Sequence, residues 1–309
     1  MEFLVQIVLL AAGFCMLVKG ADWFVDGASG VAEKFGIPQL VIGLTIVAMG
    51  TSAPEAAVSI TSALKGNAGI TIGNVLGSNI LNVLIILGLA SPIAAIAVAK
   101  TTVRYEIPFM LLVTVLLLVL GYTGNEIVLW EGLVLWGTFI LYLLYLLRMA
   151  KNSRIEEPKE SVKHPIWKLV LFVTAGMGLI ILGSNVAVDA ATAIARMAGL
   201  SERFIGLTIV ALGTSLPELV TSVNAARKGK ADIAIGNIVG SNLFNILFVV
   251  GTTAVITPVA FETKFLVDAL IALGAGVLLW LCVFRDNLLS RMEGIAMLFC
   301  YAAYFSYLM

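Results

Sequence analysis

Two glutamates stand at equivalent places in otherwise apolar stretches of this sequence. Glu55 is the only charged residue in 36–64, and Glu218 is the only one in 204–226. An ionised side chain in the middle of a bilayer costs on the order of 3 kcal/mol, even on the most lenient scale. A carboxylate that recurs near mid-span therefore needs a compensating partner, and we interpret the pair as candidate ion ligands.

Hydroxyls and a proline accompany each glutamate. Pro54 offers no N–H to the carbonyl four residues earlier, so the helix should break there and leave a backbone oxygen free. The residues concerned are Gly50, Thr51, Ser52 and Pro54 in the first stretch and Gly213, Thr214, Ser215 and Pro217 in the second. Carboxylate, hydroxyl and carbonyl oxygens are the ligands that hard cations such as Na⁺ and Ca²⁺ prefer.

The same spacing allows a simpler interpretation. Ser52 and Glu55, like Ser215 and Glu218, match the capping box of a helix N-terminus. A cap would serve equally well near the membrane surface, where its glutamate could reach water. The repeated mid-span position favours an ion site, although the two roles are compatible.

A second repeated motif places glycines and amides on apolar helices. It reads GNVLGSNILN from Gly73 to Asn82 and GNIVGSNLFN from Gly236 to Asn245. Glycines four residues apart predict a close helix-packing seam. The serines and asparagines one turn apart predict a polar stripe on each helix, and the candidate ligands in these stripes are Ser78, Asn82, Ser241 and Asn245.

Together the two half-sites would form a cage of oxygens. They would supply two carboxylates, at least four hydroxyls, two amides and several carbonyls. A formal charge of −2 can be balanced by one Ca²⁺ or by Na⁺ ions, which gives a physical basis for competition at one site.

The elements that must position these residues are membrane helices. The chain has 309 residues, 60% of them hydrophobic and 12% charged, which is too apolar for a soluble domain. About 20 helical residues cross a bilayer, and uniformly apolar runs exclude a barrel. We predict an all-α protein with ten spans at approximately 3–29, 38–64, 70–98, 106–123, 127–149, 166–195, 204–226, 232–259, 264–284 and 291–308.

The chain also repeats itself. When the sequence is slid against itself, 36–89 aligns with 199–252 without a gap, and we call this match the repeat alignment. Each half would hold five spans, so the odd number makes the second half enter the membrane from the opposite side. We predict two inverted five-helix repeats, the first over 1–150 with its α-repeat at about 36–92 and the second over 166–309 with its α-repeat at about 199–255. A charged loop at 151–165 would join them.

Basic residues predict the orientation. With the 151–165 loop in the cytoplasm, 14 of the 19 lysines and arginines face inside and 4 face outside. Both termini are then outside, and the N-terminus lacks the basic leader of a cleaved signal peptide. We expect a multi-pass protein of the cell (inner) membrane.

The two motif pairs resemble those of the calcium/cation antiporter superfamily, specifically its prokaryotic sodium/calcium exchanger branch. GTSAPE at 50–55 and GTSLPE at 213–218, each followed by the glycine and asparagine motif, match that family's two α-repeats. The resemblance covers the whole chain. Some relatives carry Asp where this chain has Asn245, which lowers the negative charge of the site.

The resemblance implies both a site and a mechanism. Glu55 and Glu218 would be the central ligands. The other implied ligands are Thr51, Ser52, Ser78, Asn82, Thr214, Ser215, Ser241, Asn245 and the carbonyls of Ala48 and Ala211. The family implies no cofactor, and it implies alternating access in which the first and sixth helices slide against the other eight as Na⁺ enters and Ca²⁺ leaves.

Three functions remain open from the sequence. The first is a Na⁺/Ca²⁺ antiporter, and the second is a H⁺-coupled antiporter for Ca²⁺ or another divalent cation, since a membrane carboxylate can exchange H⁺ for a metal. The third is a passive cation channel, against which the lack of a filter-like loop argues. We predict no enzyme activity and no nucleic-acid partner, and we expect a monomer whose partners are inorganic cations and the lipid bilayer.

Overall fold

The computed structural model describes residues 2–152, 164–199 and 211–308. We number its helices α1 to α12 and its strands β1 to β4. The helices are α1 (Glu2–Phe35), α2 (Gln39–Thr51), α3 (Ala53–Leu64), α4 (Ile70–Ile93), α5 (Thr102–Gly124), α6 (Leu129–Asn152), α7 (Ile166–Met197), α8 (Ala211–Thr214), α9 (Leu216–Arg227), α10 (Ala231–Ile256), α11 (Thr263–Phe284) and α12 (Arg291–Leu308). The strands are β1 (Ile96–Ala97), β2 (Glu126–Ile127), β3 (Val259–Ala260) and β4 (Leu288–Leu289).

The protein is a mostly helical, multi-pass membrane protein. In the described residues, 7 helices are long and apolar enough to span a bilayer, or 8 if the bent pair α2 and α3 is one span. The predicted span 204–226 begins outside the described residues. Most of the predicted loop 151–165 also lies outside them. The predicted span 291–308 is helical as α12, but it begins with the charged residues Arg291 and Glu293 and is not among these 7 helices.

The exposure of side chains is the reverse of that in a soluble protein. Large apolar residues such as Leu112, Leu141 and Phe299 are exposed, whereas polar residues such as Glu55 and Asn82 are fully buried. Apolar side chains can face lipid without cost, and burial inside the bundle keeps the polar side chains away from hydrocarbon. The interior of the bundle is therefore where the chemistry of this protein lies.

The helices α1 and α7 are packed antiparallel and very close together. A Cβ atom on Gly13 would lie 2.9 Å from the carbonyl oxygen of Gly183, and one on Gly20 would lie 2.8 Å from that of Gly176. Glycines at these contacts let the two backbones touch. The repeat alignment, extended toward the N-terminus, exchanges the two contacts, because it carries Gly13 onto Gly176 and Gly20 onto Gly183.

Two short antiparallel strand pairs join distant parts of the chain. Ile96 pairs with Leu289 in the first, and Ile127 pairs with Val259 in the second. The repeat alignment, extended toward the C-terminus, carries Ile96 onto Val259. Each pair thus links a segment of the first half to a segment of the second half.

The two central helices, α4 and α10, carry the glycine and asparagine motifs. In α10, 94% of the most apolar window is buried, and in α4 the share is 72%. A π-helical turn begins at Asn82 in α4 and at Asn245 in α10. Such turns leave the α-helical hydrogen-bond pattern and are frequent at functional sites.

The predicted seam of the second motif is formed in α10. A Cβ atom on Gly236 would lie 3.1 Å from the Cα of Gly43, and one on Gly240 would lie 2.8 Å from the Cα of Leu44. The backbones of α10 and α2 are therefore in direct contact. For Gly73 and Gly77, the equivalent partner segment falls mostly within 200–210, outside the described residues.

Candidate functional site

Both candidate half-sites lie where a helix is interrupted. The helix axis bends by 47° between α2 and α3 at Ser52, and α8 gives way to α9 at Ser215. Pro54 and Pro217 lie in the first turn of the helix that follows, where proline's missing N–H is not needed. The interruption falls at the serine in both halves.

Gly50 and Gly213 lie inside the helical segments before these interruptions. A Cβ atom on Gly50 would clash with the Cε of Met177, and one on Gly213 would clash with a methyl of Val188. The side chain of Ser184 on α7 donates to the carbonyl of Gly213 at 2.8 Å. These glycines therefore bring α7 against the site, rather than forming the break themselves.

The two serines do not cap their helices. Neither Ser52 nor Ser215 makes a side-chain hydrogen bond to the N-terminal N–H groups of α3 or α9. Instead, the hydroxyl of Ser52 donates to Oε1 of Glu218 at 2.7 Å. The capping box is thus replaced by a bond that crosses from the first half of the chain to the second.

Both carboxylates are completely buried. Ser78 and Ser215 donate to Oε1 of Glu55 at 3.4 and 3.5 Å, and their hydroxyls lie 3.3 Å from each other. Each glutamate therefore contacts a serine of the other half. No lysine or arginine in the described residues forms an ion pair with Glu55 or Glu218, so their negative charge is left for a cation.

Four buried side-chain oxygens in this region have no hydrogen-bond partner among the described residues. They are Oε2 of Glu55, Oδ1 of Asn82, Oε2 of Glu218 and Oδ1 of Asn245. The repeat alignment exchanges the first two with the last two. An unpartnered buried acceptor is costly, and four related ones suit a cation that accepts all of them as ligands.

The carbonyl of Ala48 lies in the same region. It accepts the N–H of Ser52 at 3.0 Å and the hydroxyls of Thr51 and Ser241 at 3.4 Å each. The hydroxyl of Thr51 also donates to Oδ1 of Asn237 at 3.0 Å. Ala48, Thr51 and Ser241 are thus brought together as the sequence leads one to expect, but through hydrogen bonds among themselves.

The equivalent part of the second half is more open. Thr214 is half-buried and lines a cavity, whereas Thr51 is fully buried. Ala211 is the first described residue of α8, next to the segment 200–210. The two half-sites therefore differ in their exposure, although their sequences repeat.

Two asparagines that sequence analysis did not select hold the backbone of the glutamates. Asn74 donates to the carbonyl of Glu55 at 3.2 Å and to Ser59 at 2.9 Å. Asn237 donates to the carbonyl of Glu218 at 3.5 Å and to Ser222 at 2.9 Å. Their repetition at equivalent positions of GN-x-x-GSN was the signal that could have found them.

A cavity of about 620 Å³ reaches the site from one side. Pro54 and Thr214 line its inner end, and Ser184, Asn185 and Asp189 of α7 line its wall. The cavity therefore places open space next to the second half-site, between α3 and α7.

The other side is closed by ion pairs between α1 and the end of α9. Lys228 lies 3.1 Å from Asp22 and 2.8 Å from Asp26, and Lys230 lies 3.2 Å from Glu33. Partly exposed pairs of this kind contribute little each, but several together form a network. The ion pairs thus tie α1 to the end of α9, whereas the cavity lies beside Pro54 and Thr214.

The donor set contains few strong metal ligands. The described residues hold no group of three or more His, Cys, Asp or Glu side chains. Two carboxylates with neutral hydroxyl, amide and carbonyl oxygens suit a hard ion that must leave again, because tight structural sites use more charged ligands. The fold and the half-sites define a multi-pass transporter of hard cations.

Comparison with known proteins identifies the family. The family model described as "Sodium/calcium exchanger protein" matches residues 5–148 and 168–309. The chain belongs to this family, which consists of antiporters rather than enzymes.

Relatives in several organisms cover nearly the whole chain. The putative antiporter CaxA of Alkalimonas amylolytica is 37% identical over 97% of this chain and 98% of its own length. The inner membrane protein YrbG of Escherichia coli (strain K12) is 37% identical over 88% of each chain. The sodium/calcium exchanger MaX1 of Methanosarcina acetivorans is 30% identical over 97% of each.

A solved structure has the same fold. It is the sodium-calcium exchanger NCX_Mj soaked with zero Na⁺ and Ca²⁺, with a TM-score of 0.86, 30% identity and 99% coverage of both chains. The chain is thus a cation antiporter of the sodium and calcium transport class, embedded in a membrane.

Proposed function

We propose that this protein exchanges Na⁺ for Ca²⁺ at a single site in the middle of the membrane. The observation that carries the proposal is the set of four buried, unpartnered oxygens, two from each half of the chain, around Glu55 and Glu218. One Ca²⁺ would satisfy two carboxylates that form no ion pair with a lysine or arginine of the described residues. Na⁺ ions would satisfy the same oxygens, so the two substrates compete.

In this proposal the ligands come equally from both halves. Glu55 and Glu218 bind either ion directly. The remaining proposed ligands are Thr51, Ser52, Ser78, Asn82, Thr214, Ser215, Ser241, Asn245 and the carbonyls of Ala48 and Ala211.

We also propose that the chain consists of ten spans in two inverted five-helix repeats. The antiparallel packing of α1 and α7, with glycine contacts exchanged by the repeat alignment, supports an inverted relation of the halves. The strand pairs β1–β4 and β2–β3 support it further, because the same alignment carries β1 onto β3 and places β2 within one residue of β4.

Transport would then proceed by alternating access. The cavity reaches the site from one side, and ion pairs close the other side. If the 151–165 loop is cytoplasmic, the closed end is cytoplasmic and the cavity faces outside. Sliding of α1 and α7 along the remaining helices would break the pairs of Lys228 and close the cavity.

The deciding experiment is Ca²⁺ uptake by proteoliposomes that contain the full chain and are preloaded with Na⁺. We expect uptake that collapses when the Na⁺ gradient is removed and that Glu55→Gln or Glu218→Gln abolishes. Glu126→Gln is the matched control, because Glu126 is an exposed carboxylate at β2. Uptake that follows a pH gradient and ignores Na⁺ would show that the coupling ion is H⁺ instead.

A further inference from the structure

Two asparagines of the central helices hold each other's backbone. The Nδ2 of Asn79 on α4 donates to the carbonyl oxygen of Asn242 at 3.2 Å, and the Nδ2 of Asn242 on α10 donates to that of Asn79 at 3.3 Å. Both side chains are only 4% exposed. Neither belongs to the proposed ligand set.

These two bonds fix which way each amide faces. A carbonyl oxygen only accepts, so the amide atom that faces it must be the nitrogen. The reversed amide would place two oxygens in contact in a buried environment, which is unfavourable. The Oδ1 atoms of Asn79 and Asn242 are therefore directed away from these carbonyls.

The orientation is passed on to the next asparagine, one turn further along the opposite helix. The Oδ1 of Asn242 accepts from the Nδ2 of Asn82 at 2.9 Å, and the Oδ1 of Asn79 accepts from the Nδ2 of Asn245 at 3.1 Å. With each nitrogen held, the Oδ1 of Asn82 and the Oδ1 of Asn245 become the atoms without a partner.

We infer that Asn79 and Asn242 are positioning residues, each of which turns the amide oxygen of a ligand in the other half toward the cation. The inference rests on the proposed function. The two ends of a side-chain amide have nearly the same shape, so packing alone does not decide between them. A reversed amide would present its N–H groups to the cation and repel it.

The pairing is crosswise, which makes the inference separable from a general packing role. Asn79 acts on Asn245, and Asn242 acts on Asn82. The side-chain nitrogens of Asn245 and Asn242 each donate one further, longer bond. Asn245 donates to the hydroxyl of Ser78 at 3.4 Å, and Asn242 donates to the sulfur of Met110 at 3.6 Å. Loss of Asn79 should therefore impair the Asn245 amide and leave the Asn82 amide oriented.

A carboxylate removes the need for orientation, because both of its terminal atoms are oxygens. Asn79→Ala should consequently be relieved by Asn245→Asp and not by Asn82→Asp. Asn242→Ala should be relieved by Asn82→Asp and not by Asn245→Asp. For each alanine variant, the two double variants carry the same added charge, so the one with the wrong aspartate is the matched control for the other.

The experiment measures the KM and maximal rate of Na⁺-dependent Ca²⁺ uptake, and equilibrium binding of ⁴⁵Ca²⁺, for the full-length wild type, the four single variants and the four double variants. We expect Asn79→Ala to raise the KM for Ca²⁺ about tenfold, as for loss of a bond to a charged group, with a smaller change in maximal rate. In the Asn245→Asp background the same change should alter the KM less than about twofold.

Equal relief by both aspartates would mean that added charge is responsible, and would overturn the inference. If neither aspartate restores the KM for Ca²⁺ in folded protein, Asn79 and Asn242 serve only as contacts between helices, and the inference is overturned as well. Should Asn79→Ala fail to fold, Asn79→Ser keeps a polar group without the required reach and serves the same comparison. A wild type that binds no Ca²⁺ would remove the proposed function; a wild type that exchanges ions without the crossed pattern removes only this inference.

Discussion

At the scale of single residues, the two half-sites are related in sequence but differ in their bonds. Ser52 makes a 2.7 Å bond to Glu218, whereas the equivalent Ser215 lies 3.5 Å from Glu55 and is shared with Ser78. Bonds to carboxylates are among the strongest that neutral side chains form. The Ser52 bond is therefore the principal polar link between the two halves at the site.

We expect Ser52→Ala to impair transport more than Ser215→Ala. The first variant removes a short bond to Glu218, and the second removes a long and shared one, so a difference of roughly tenfold in the KM for Ca²⁺ is expected. The two serines are equivalent by the repeat, which makes each the control for the other. Equal effects would show that the hydroxyls act only as ion ligands.

The asparagines that hold the glutamate backbone should also differ. Asn237 is fully buried and accepts a bond from Thr51 in addition to its own two, whereas the two bonds of Asn74 to other described residues lie within its own half. Asn237→Ala should lower the free energy of unfolding by about 1–3 kcal/mol, and Asn74→Ala by less. Thermal unfolding of the purified variants in detergent would measure this, and a lower midpoint for Asn74→Ala would contradict it.

Residue types and their repetition predicted the candidate ligands, and the structure brings Ser52 to Glu218 and Ser215 to Glu55. They did not predict these bonds across the site. Helical spacing places Asn79 and Asn82 on one face, but the identity of the facing residue depends on the register between α4 and α10. For the same reason the sequence suggested a cap for Ser52, while tertiary packing directs its hydroxyl to Glu218.

At the scale of elements, the contact between α1 and α7 is a close glycine contact that runs along both helices. Its glycines repeat along both helices and bring the two backbones into contact, and Trp23 of α1 stacks on Phe172 of α7 beside them. Close backbone packing of this kind holds the two helices together as a pair. This suits a pair of helices that would move together against the rest of the molecule.

Gly20→Ala should destabilise the protein or slow its transport. The added Cβ would lie 2.8 Å from the carbonyl oxygen of Gly176, so the two helices must separate, at a cost of about 1–3 kcal/mol. Gly178→Ala on α7 is the control, since no described atom lies within 4 Å of its Cβ position. An unchanged melting temperature and unchanged uptake for Gly20→Ala would contradict the role of close packing.

The prediction of elements from hydropathy succeeded for long apolar helices. Spans such as 166–195 and 264–284 agree with α7 and α11 within a few residues. The breaks after α2 and α8 lie at Ser52 and Ser215, close to the prolines from which breaks were predicted. The π-helical turns at Asn82 and Asn245 depend on interactions between helices, which periodicity does not contain. The predicted span 204–226 is described only from Ala211 onward, so its first turns stay a prediction.

At the scale of the whole molecule, the described structure is asymmetric about its repeat. A cavity lies on one side, and the lysine network lies on the other. An equilibrium between two such states responds to any interaction that is present in only one of them. The pairs of Lys228 with Asp22 and Asp26 are such an interaction, because they join α1 to α9 at the closed end.

Lys228→Gln should shift the population away from this state. A cysteine introduced at Asn185, in the cavity wall, would then react more slowly with a water-soluble maleimide, by about two- to fivefold for loss of a partly exposed pair. The background would carry serine at Cys15, Cys282 and Cys300. Lys65→Gln, at an exposed lysine, is the control, and equal labelling of the two variants would exclude the ion pairs as a conformational restraint.

The crosswise bonds at the centre of the bundle also limit how this sequence can change over generations. A substitution at Ser52, Asn79 or Asn242 removes a bond to a proposed ion ligand encoded in the opposite half of the chain, so its effect depends on the distant position. Neither half can drift toward a separate specificity while the other stays constant. The duplication that produced two half-sites has in this way bound them to a common evolutionary path.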